Sequence, residues 1–212
     1  HYEDFVIGGS SSLIVKDTTG PDLTIYLNSL AFKSGDETYE FPHFYADIYD
    51  ENGINTVGTG IGHDLLLVID NDPKQTYVLN NYFNANNNSY QSGQVSYKMA
   101  EQAEGAHTLT FRAWDMFNNS STASLNFQVV KGLDPNIYSV TTYPNPVTST
   151  GVVNVEILFD QQDEVMETTV YLYDVSGKLM HTHTQNNIDG IRWDMGNLSV
   201  NPGIYVYQVK IK

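Results

Sequence analysis

Apolar and polar residues alternate in steps of two along most of this chain, and no useful length shows the spacing of an amphipathic helix. Leu23, Ile25 and Leu27 alternate with Thr24, Tyr26 and Asn28. Leu109, Phe111 and Ala113 alternate with Thr108, Thr110 and Arg112, and Leu125, Phe127 and Val129 repeat the scheme after Asn118-Asn119-Ser120-Ser121. A stripe of every second residue reaches a core only from a pleated strand, whose side chains point to opposite faces in turn. Residues 65–69 are apolar without a break, which suits a strand buried on both faces or at the centre of a sandwich. The chain is therefore expected to be all-β, built from short strands and polar turns.

Organisation follows from where the pattern stops and restarts. Residues 1–16 end near Gly8-Gly9-Ser10-Ser11-Ser12 and read as a linker or the end of an upstream domain. Asp17-Thr18-Thr19-Gly20-Pro21-Asp22 is a turn cluster that opens a new unit. With residues 44–49, 77–79 and 94–98 added, about seven strands precede residue 131, the number of an immunoglobulin-like sandwich without its Cys-Trp-Cys signature. Lys131-Gly132-Leu133-Asp134-Pro135-Asn136 forms the connector. Beyond it, strands are expected near residues 137–143, 152–159, 165–173, 179–184, 188–193 and 204–210. Two stripes, Val153-Val155-Ile157-Phe159 and Tyr205-Tyr207-Val209-Ile211, point inward. The expectation is two tandem β-sandwiches, at 17–131 and 137–212, the second small and thin-cored.

Charge and composition exclude several functions. Against 25 Asp and Glu stand 10 Lys and Arg, a net charge of -15. Phosphate neutralisation needs clustered basic residues, so nucleic acid is not an expected partner. Cysteine is absent, which removes disulfides, thiolate metal sites and a Cys nucleophile together. No apolar run approaches the length of a membrane span. The start His1-Tyr2-Glu3-Asp4-Phe5 carries neither an initiator Met nor a signal peptide, so the chain is expected to be the C-terminal piece of something longer.

Candidate chemical sites are few. Gly58-Thr59-Gly60-Ile61-Gly62-His63-Asp64 looks like a phosphate-cradling loop, but such loops need a helix N-terminus after them, and a strand pattern follows here. Asp47, Asp50, Asp115 and Asn118 are the expected ligands if calcium binds, since Ca²⁺ takes six to eight oxygens and loops at one sandwich end can supply them. The same residues also suit ordinary Asx turns. His43, His63 and His107 are scattered, and His181 and His183 alternate on one strand with no third zinc ligand evident; they read as solvated strand residues. Tyr82, Phe83, Tyr90 and Tyr97, set among asparagines, keep open the alternative of a carbohydrate-binding module, although alternate strand aromatics are also core or cross-strand pairs. No Gly-x-Ser-x-Gly elbow occurs, so no catalytic residue is expected in this piece.

The final segment carries the most specific pattern. Tyr143-Pro144-Asn145-Pro146 opens it, Tyr173-Asp174-Val175-Ser176-Gly177-Lys178 sits at its middle, Trp193-Asp194 follows, and Gly203-Ile204-Tyr205 leads to the basic end Lys210-Ile211-Lys212. This series resembles the C-terminal sorting domain of the Bacteroidetes type IX secretion system, with Pro144, Asn145, Pro146, Asp174, Gly177, Gly203 and Tyr205 as its sorting motifs. Upstream, Tyr49-Asp50-Glu51-Asn52-Gly53-Ile54-Asn55, Tyr77-Val78-Leu79-Asn80 and Ala113-Trp114-Asp115-Met116-Phe117-Asn118-Asn119 look like the segment after the peptidase domain of PorU-like sortases, which are gingipain-like cysteine peptidases. The resemblance implies a parent that cleaves cargo at the cell surface and can join it to lipopolysaccharide. It further implies an outer-membrane barrel protein of the secretion machinery and the upstream peptidase domain as partners. The family's catalytic Cys and His match no residue here.

Overall fold

The computed structural model describes residues 17–57, 62–147, 151–161, 165–187, 190–194 and 201–212. These residues are almost entirely strand and turn, arranged in several sheets as tandem β-sandwiches require. The strands are β1 (Asp22–Leu27), β2 (Glu37–Thr38), β3 (His43–Tyr49), β4 (Leu66–Ile69), β5 (Thr76–Val78), β6 (Phe83–Ala85), β7 (Ser92–Lys98), β8 (Gly105–Trp114) and β9 (Ser120–Val129). After the connector come β10 (Ile137–Tyr143), β11 (Val152–Phe159), β12 (Met166–Asp174), β13 (Leu179–Asn187), β14 (Gly190–Asp194) and β15 (Tyr205–Ile211). Two single-turn helices, Pro73–Gln75 and Asn80–Tyr82, interrupt the first part. Among the described residues no helix is long and apolar enough to cross a membrane.

The first part forms a sheet ordered β1-β3-β7-β6 and another ordered β2-β9-β8-β4-β5. β4 with β5, β4 with β8 and β6 with β7 pair antiparallel, whereas β2 and β9 run parallel. Phe44, Leu65, Leu67, Ile69, Leu79, Val95, Leu109, Phe111, Phe127 and Val129 are buried, so the alternating stripes read from sequence do fill a core. Two details differ from the expected pattern. Leu65, Leu67 and Ile69 are wholly buried, while Leu66 and Val68 between them are only partly covered, so the unbroken apolar run buries one face fully rather than both. In β1, Tyr26 is buried beside Leu27 because its ring stacks on Tyr45 with centroids 5.2 Å apart.

Contacts divide the described residues into two compact units: one takes residues 17–25 with Ala46–Ser96 and Thr108–Ser124, the other Tyr26–Tyr45, Tyr97–His107 and Leu125–Lys212. In the first unit, close backbone approach depends on Gly93. A methyl carbon there would lie 2.3 Å from Phe83 Cζ and 2.6 Å from the Asn84 carbonyl oxygen. The Phe83 ring lies across the glycine, so Gly93→Ala must displace both ring and strand. Overpacking of this kind costs ~1–3 kcal/mol, and a denaturant midpoint lowered to match, with the slope unchanged, is the expected result.

In the second unit the connector is fastened before β10 begins. Asn136 donates from its backbone N (2.9 Å) and its Nδ2 (3.2 Å) to the Asp160 carboxylate, and the Asp160 N donates back to the Asn136 carbonyl at 3.2 Å. Gln161 Nε2 donates to the Leu133 carbonyl at 2.7 Å. Burial of Asp160 raises its carboxyl above the ordinary value, against the pull of the Asn136 bonds. The last strands form two three-stranded sheets, β10-β11-β14 and β13-β12-β15. Their core is Val153, Val155, Ile157, Phe159, Met166, Val170, Leu172, Trp193 and Ile211, with Val140, Tyr205 and Val209 packed against it. Trp193 stacks on His183, with rings 5.3 Å apart and 10° from parallel.

Candidate functional site

The middle motif of the final segment is a hairpin turn built around one carboxylate. Asp174 Oδ1 accepts from the Ser176 N at 2.8 Å, the Ser176 Oγ at 2.6 Å and the Lys178 N at 3.1 Å. The Asp174 N donates to the Lys178 carbonyl and the Gly177 N to the Asp174 carbonyl, each at 3.0 Å. These bonds, the Ser176 hydroxyl first and the Lys178 amide next, hold the Asp174 carboxyl below its ordinary value. Its stabilising effect is therefore present above the ordinary carboxylate range and fades as pH falls through the lowered value. Gly177 closes the turn at φ +83°, where a side chain would meet nothing yet the backbone disfavours any L residue. Gly177→Ala should weaken the hairpin by ~1–2 kcal/mol without a clash, readable as faster amide exchange at Ser176 and Lys178.

The closing motif lies directly beside this turn. Asp174 is opposite Tyr205 in the β12–β15 register. The Tyr205 hydroxyl donates to the Asn201 carbonyl at 2.6 Å, and Gly203 lies under the Tyr205 ring, where an added methyl would be 3.8 Å from Cε2. Asp174, Gly177, Gly203 and Tyr205 thus occupy one end of a single sheet. Pro144, Asn145 and Pro146 end β10 in the other sheet, with cis peptide bonds at Tyr143-Pro144 and Asn145-Pro146.

A second cluster sits in the first unit. Carboxylate oxygens of Asp17, Asp50 and Asp115 approach within 4.8 Å of one another. Asp115 is completely buried; its Oδ1 accepts from the Phe117 N (2.8 Å) and the Asn119 N (2.7 Å), and its Oδ2 from Asn119 Nδ2 (2.7 Å). Asp50 Oδ1 accepts from the Asn52 N at 2.8 Å, and Asn52 Nδ2 donates to Asp17 Oδ2 at 2.8 Å. Burial raises the Asp50 carboxyl, and the charges of Asp115 and Asp17 raise it further. Asp17 is lowered, first by the Thr19 amide and then by the Thr19 hydroxyl. Like charges this close repel one another, so a bound cation would relieve the group. Asp17, Asp50 and Asp115, with the Asn52 side-chain oxygen after an amide flip, are the residues able to hold one.

Of the expected calcium ligands, Asp50 and Asp115 come together; Asp47 accepts from Gln94 Nε2 at 2.8 Å on the neighbouring strand, and Asn118 takes a left-handed φ of 67° within the turn. In the sequence Asp17 reads only as part of a turn. It reaches the cluster because Gly20 lies against the Ser120 backbone, where an added methyl would be 2.5 Å from the Ser120 carbonyl carbon. No pattern in the sequence announces that approach.

Several of the remaining candidates pack against neighbouring rings. Of the histidines read as solvated strand residues, His43, His63, His107 and His183 are each partly exposed and also lie against an aromatic ring: His43 on Tyr45 (4.7 Å), His63 against Trp114 (4.3 Å), His107 on Phe127 (5.2 Å) and His183 on Trp193 (5.3 Å). Strand alternation alone does not reveal these ring contacts. Gly58, Thr59, Gly60 and Ile61 lie outside the described residues. Phe83 covers Gly93, and the Tyr90 ring lies 2.8 Å from where a Gly53 methyl would stand. Tyr82 and Tyr90 are exposed, at 45% and 70%.

Residues 141–212 match the family described as the secretion system C-terminal sorting domain. The hairpin and the last strand carrying the motifs lie inside that match, which marks a secreted protein of the type IX system. Over 92% of its length the chain is similar to the dimeric latent PorU from Porphyromonas gingivalis, at 31% identity and a TM-score of 0.57, covering 19% of that chain. It is therefore a PorU-like C-terminal region ending in a sorting domain, and it spans about a fifth of the structure it matches (19%). Weaker likenesses are to an endo-β-1,4-mannanase from Thermotoga petrophila (14% identity, TM-score 0.34, 52% of this chain and 20% of that one). Another is to SGBP-B of the Bacteroides ovatus mixed-linkage glucan utilization locus in complex with a mixed-linkage heptasaccharide (12% identity, TM-score 0.26, 85% and 51%). No curated protein matches the sequence.

Proposed function

We propose that this chain is the non-catalytic C-terminal region of a surface cysteine peptidase and transpeptidase, a sortase of the type IX system. On this reading, residues 137–212 direct export and dock the protein at the outer-membrane cell surface, on a barrel protein of the machinery, while residues 17–131 brace the upstream peptidase domain. The strand order of the first part, β1-β3-β7-β6 and β2-β9-β8-β4-β5, supports an immunoglobulin-like brace. The observation that carries the proposal is the sorting-domain match over residues 141–212, with Asp174, Gly177, Gly203 and Tyr205 gathered at one end of one sheet. The test is a passenger protein fused to residues 17–212 in a type IX-competent host, beside the same passenger on residues 17–131. Surface delivery of the first and periplasmic retention of the second support the reading. Equal delivery of both contradicts it.

We also propose that the Asp17, Asp50 and Asp115 cluster takes calcium, because three carboxylates converge there within 4.8 Å. Binding a ligand only in the folded state raises stability with its concentration. Millimolar calcium should raise the thermal midpoint, and Asp50→Asn should abolish the rise. The pH dependence has opposite signs in the two states. In chelator, Asp50, with its raised folded value, favours folding at low pH and loses that effect as pH rises through the raised value. In calcium, stability falls on acidification because the ligands must be ionised. A melting temperature that ignores calcium at pH 7 contradicts the metal reading.

A further inference from the structure

The end of the sheet that holds the Asp174 turn carries apolar side chains in water. Tyr173 stands opposite Leu179 on one side and Val206 on the other, forming a row across three strands. Leu179 is 48% exposed and Val206 57%, and at the same end Val175 of the turn and Ile204 before β15 reach 76% and 79%. Small soluble proteins place isolated apolar residues outside without consequence, but a contiguous group marks an interaction surface.

One edge of the strand beside this patch has no strand partner among the described residues. Among the described residues β15 ends its sheet, with only β12 as a neighbour. Glu167 and Lys212 exchange both backbone bonds, each 3.0 Å. Exchanged and non-exchanged pairs alternate along an antiparallel ladder. Hence Lys210, Gln208 and Val206 bond to β12, while the N–H and C=O groups of Tyr205, Tyr207, Val209 and Ile211 face away from it. A strand laid along this edge would meet those groups and cover Val206 and Ile204.

Charge selects the occupant. Within residues 165–187 and 201–212, Lys178, Lys210 and Lys212 outnumber Glu167 and Asp174, whereas the whole chain carries -15. Lysines on an edge strand oppose pairing with an identical edge, so a second copy is disfavoured twice, locally and by net charge. An acidic strand is favoured by the same lysines. Resting on the sorting reading above, we infer that the β15 edge and the Tyr173, Leu179 and Val206 row form the docking surface. Its occupant is an extended segment of a partner protein with carboxylates set among apolar residues, added to the sheet as a further strand.

The test uses the 212-residue chain fused to a passenger in a type IX-competent host, with surface-exposed passenger as the readout. Val206→Glu should lower delivery about tenfold or more, as should Lys210→Glu with Lys212→Glu, because rejecting a complementary partner needs only one repulsive group. Thr184→Glu, which lies on β13 away from the edge, should deliver as the parent does. Circular dichroism melts of the purified chains establish that each variant folds; should Val206→Glu melt early, Val206→Thr keeps the strand and removes apolar surface. Delivery of the parent with undiminished delivery of every folded variant overturns the docking surface and leaves the sorting reading intact. Retention of the parent itself sinks both. Concentration-dependent dimerisation of the parent, lost in Val206→Glu, overturns the acidic partner in favour of a second copy.

Discussion

Trp193→Ala should unfold the sorting sandwich at temperatures where the parent chain is intact. Trp193 is 5% exposed at the centre of a core that otherwise rests on Val153, Val155, Ile157, Phe159, Met166, Val170, Leu172 and Ile211. Truncating a buried tryptophan costs ~3–5 kcal/mol. Small domains hold only ~5–10 kcal/mol in total, so the loss takes most of what is available. Stacking on His183 is lost as well, leaving that ring beside a cavity. Trp193→Phe keeps a ring against His183 and should cost clearly less. Thermal unfolding of the two variants by circular dichroism checks the order, and the expected trace for the alanine variant loses part of its strand signal before the main transition.

Asp115→Ala should be the most damaging change in the first unit. Its carboxylate is completely buried and accepts three bonds, from the Phe117 and Asn119 amides and the Asn119 side chain. Alanine leaves these donors unpaired, and each buried unsatisfied donor costs ~1–3 kcal/mol. Relief of repulsion with Asp17 and Asp50 offsets part of the loss, so a net destabilisation of roughly 3 kcal/mol is expected. Asp115→Asn keeps an acceptor for part of the turn and removes the charge. In chelator it should lie much closer to the parent, and in calcium it should fail to gain stability. Urea unfolding with and without calcium separates the two roles of this side chain.

Local chemistry was legible in the sequence, and contacts between distant segments were not. Val153, Val155, Ile157 and Phe159 announce a strand and its buried face because a period of two requires both. The Asp174 to Lys178 turn is equally open, since every bond in it spans at most four residues. Phe83–Ala85 and Glu37–Thr38 were missed because they are short and hold few β-formers. Alternation puts Tyr26 on the polar face, and nothing local reports its stacking on Tyr45. Asp17 joins Asp50 and Asp115 only through the close approach of Gly20 to Ser120. The row of Tyr173, Leu179 and Val206 exists only once the register of β12 with β13 and β15 is known.

The export claim has one direct measurement. A passenger carrying residues 17–212 is expressed in matched hosts with and without a working type IX system, and its location is read by fractionation and surface protease digestion. The account predicts surface passenger only in the competent host and periplasmic passenger in the deficient one. Surface passenger in both hosts, or periplasmic passenger in both, would contradict it.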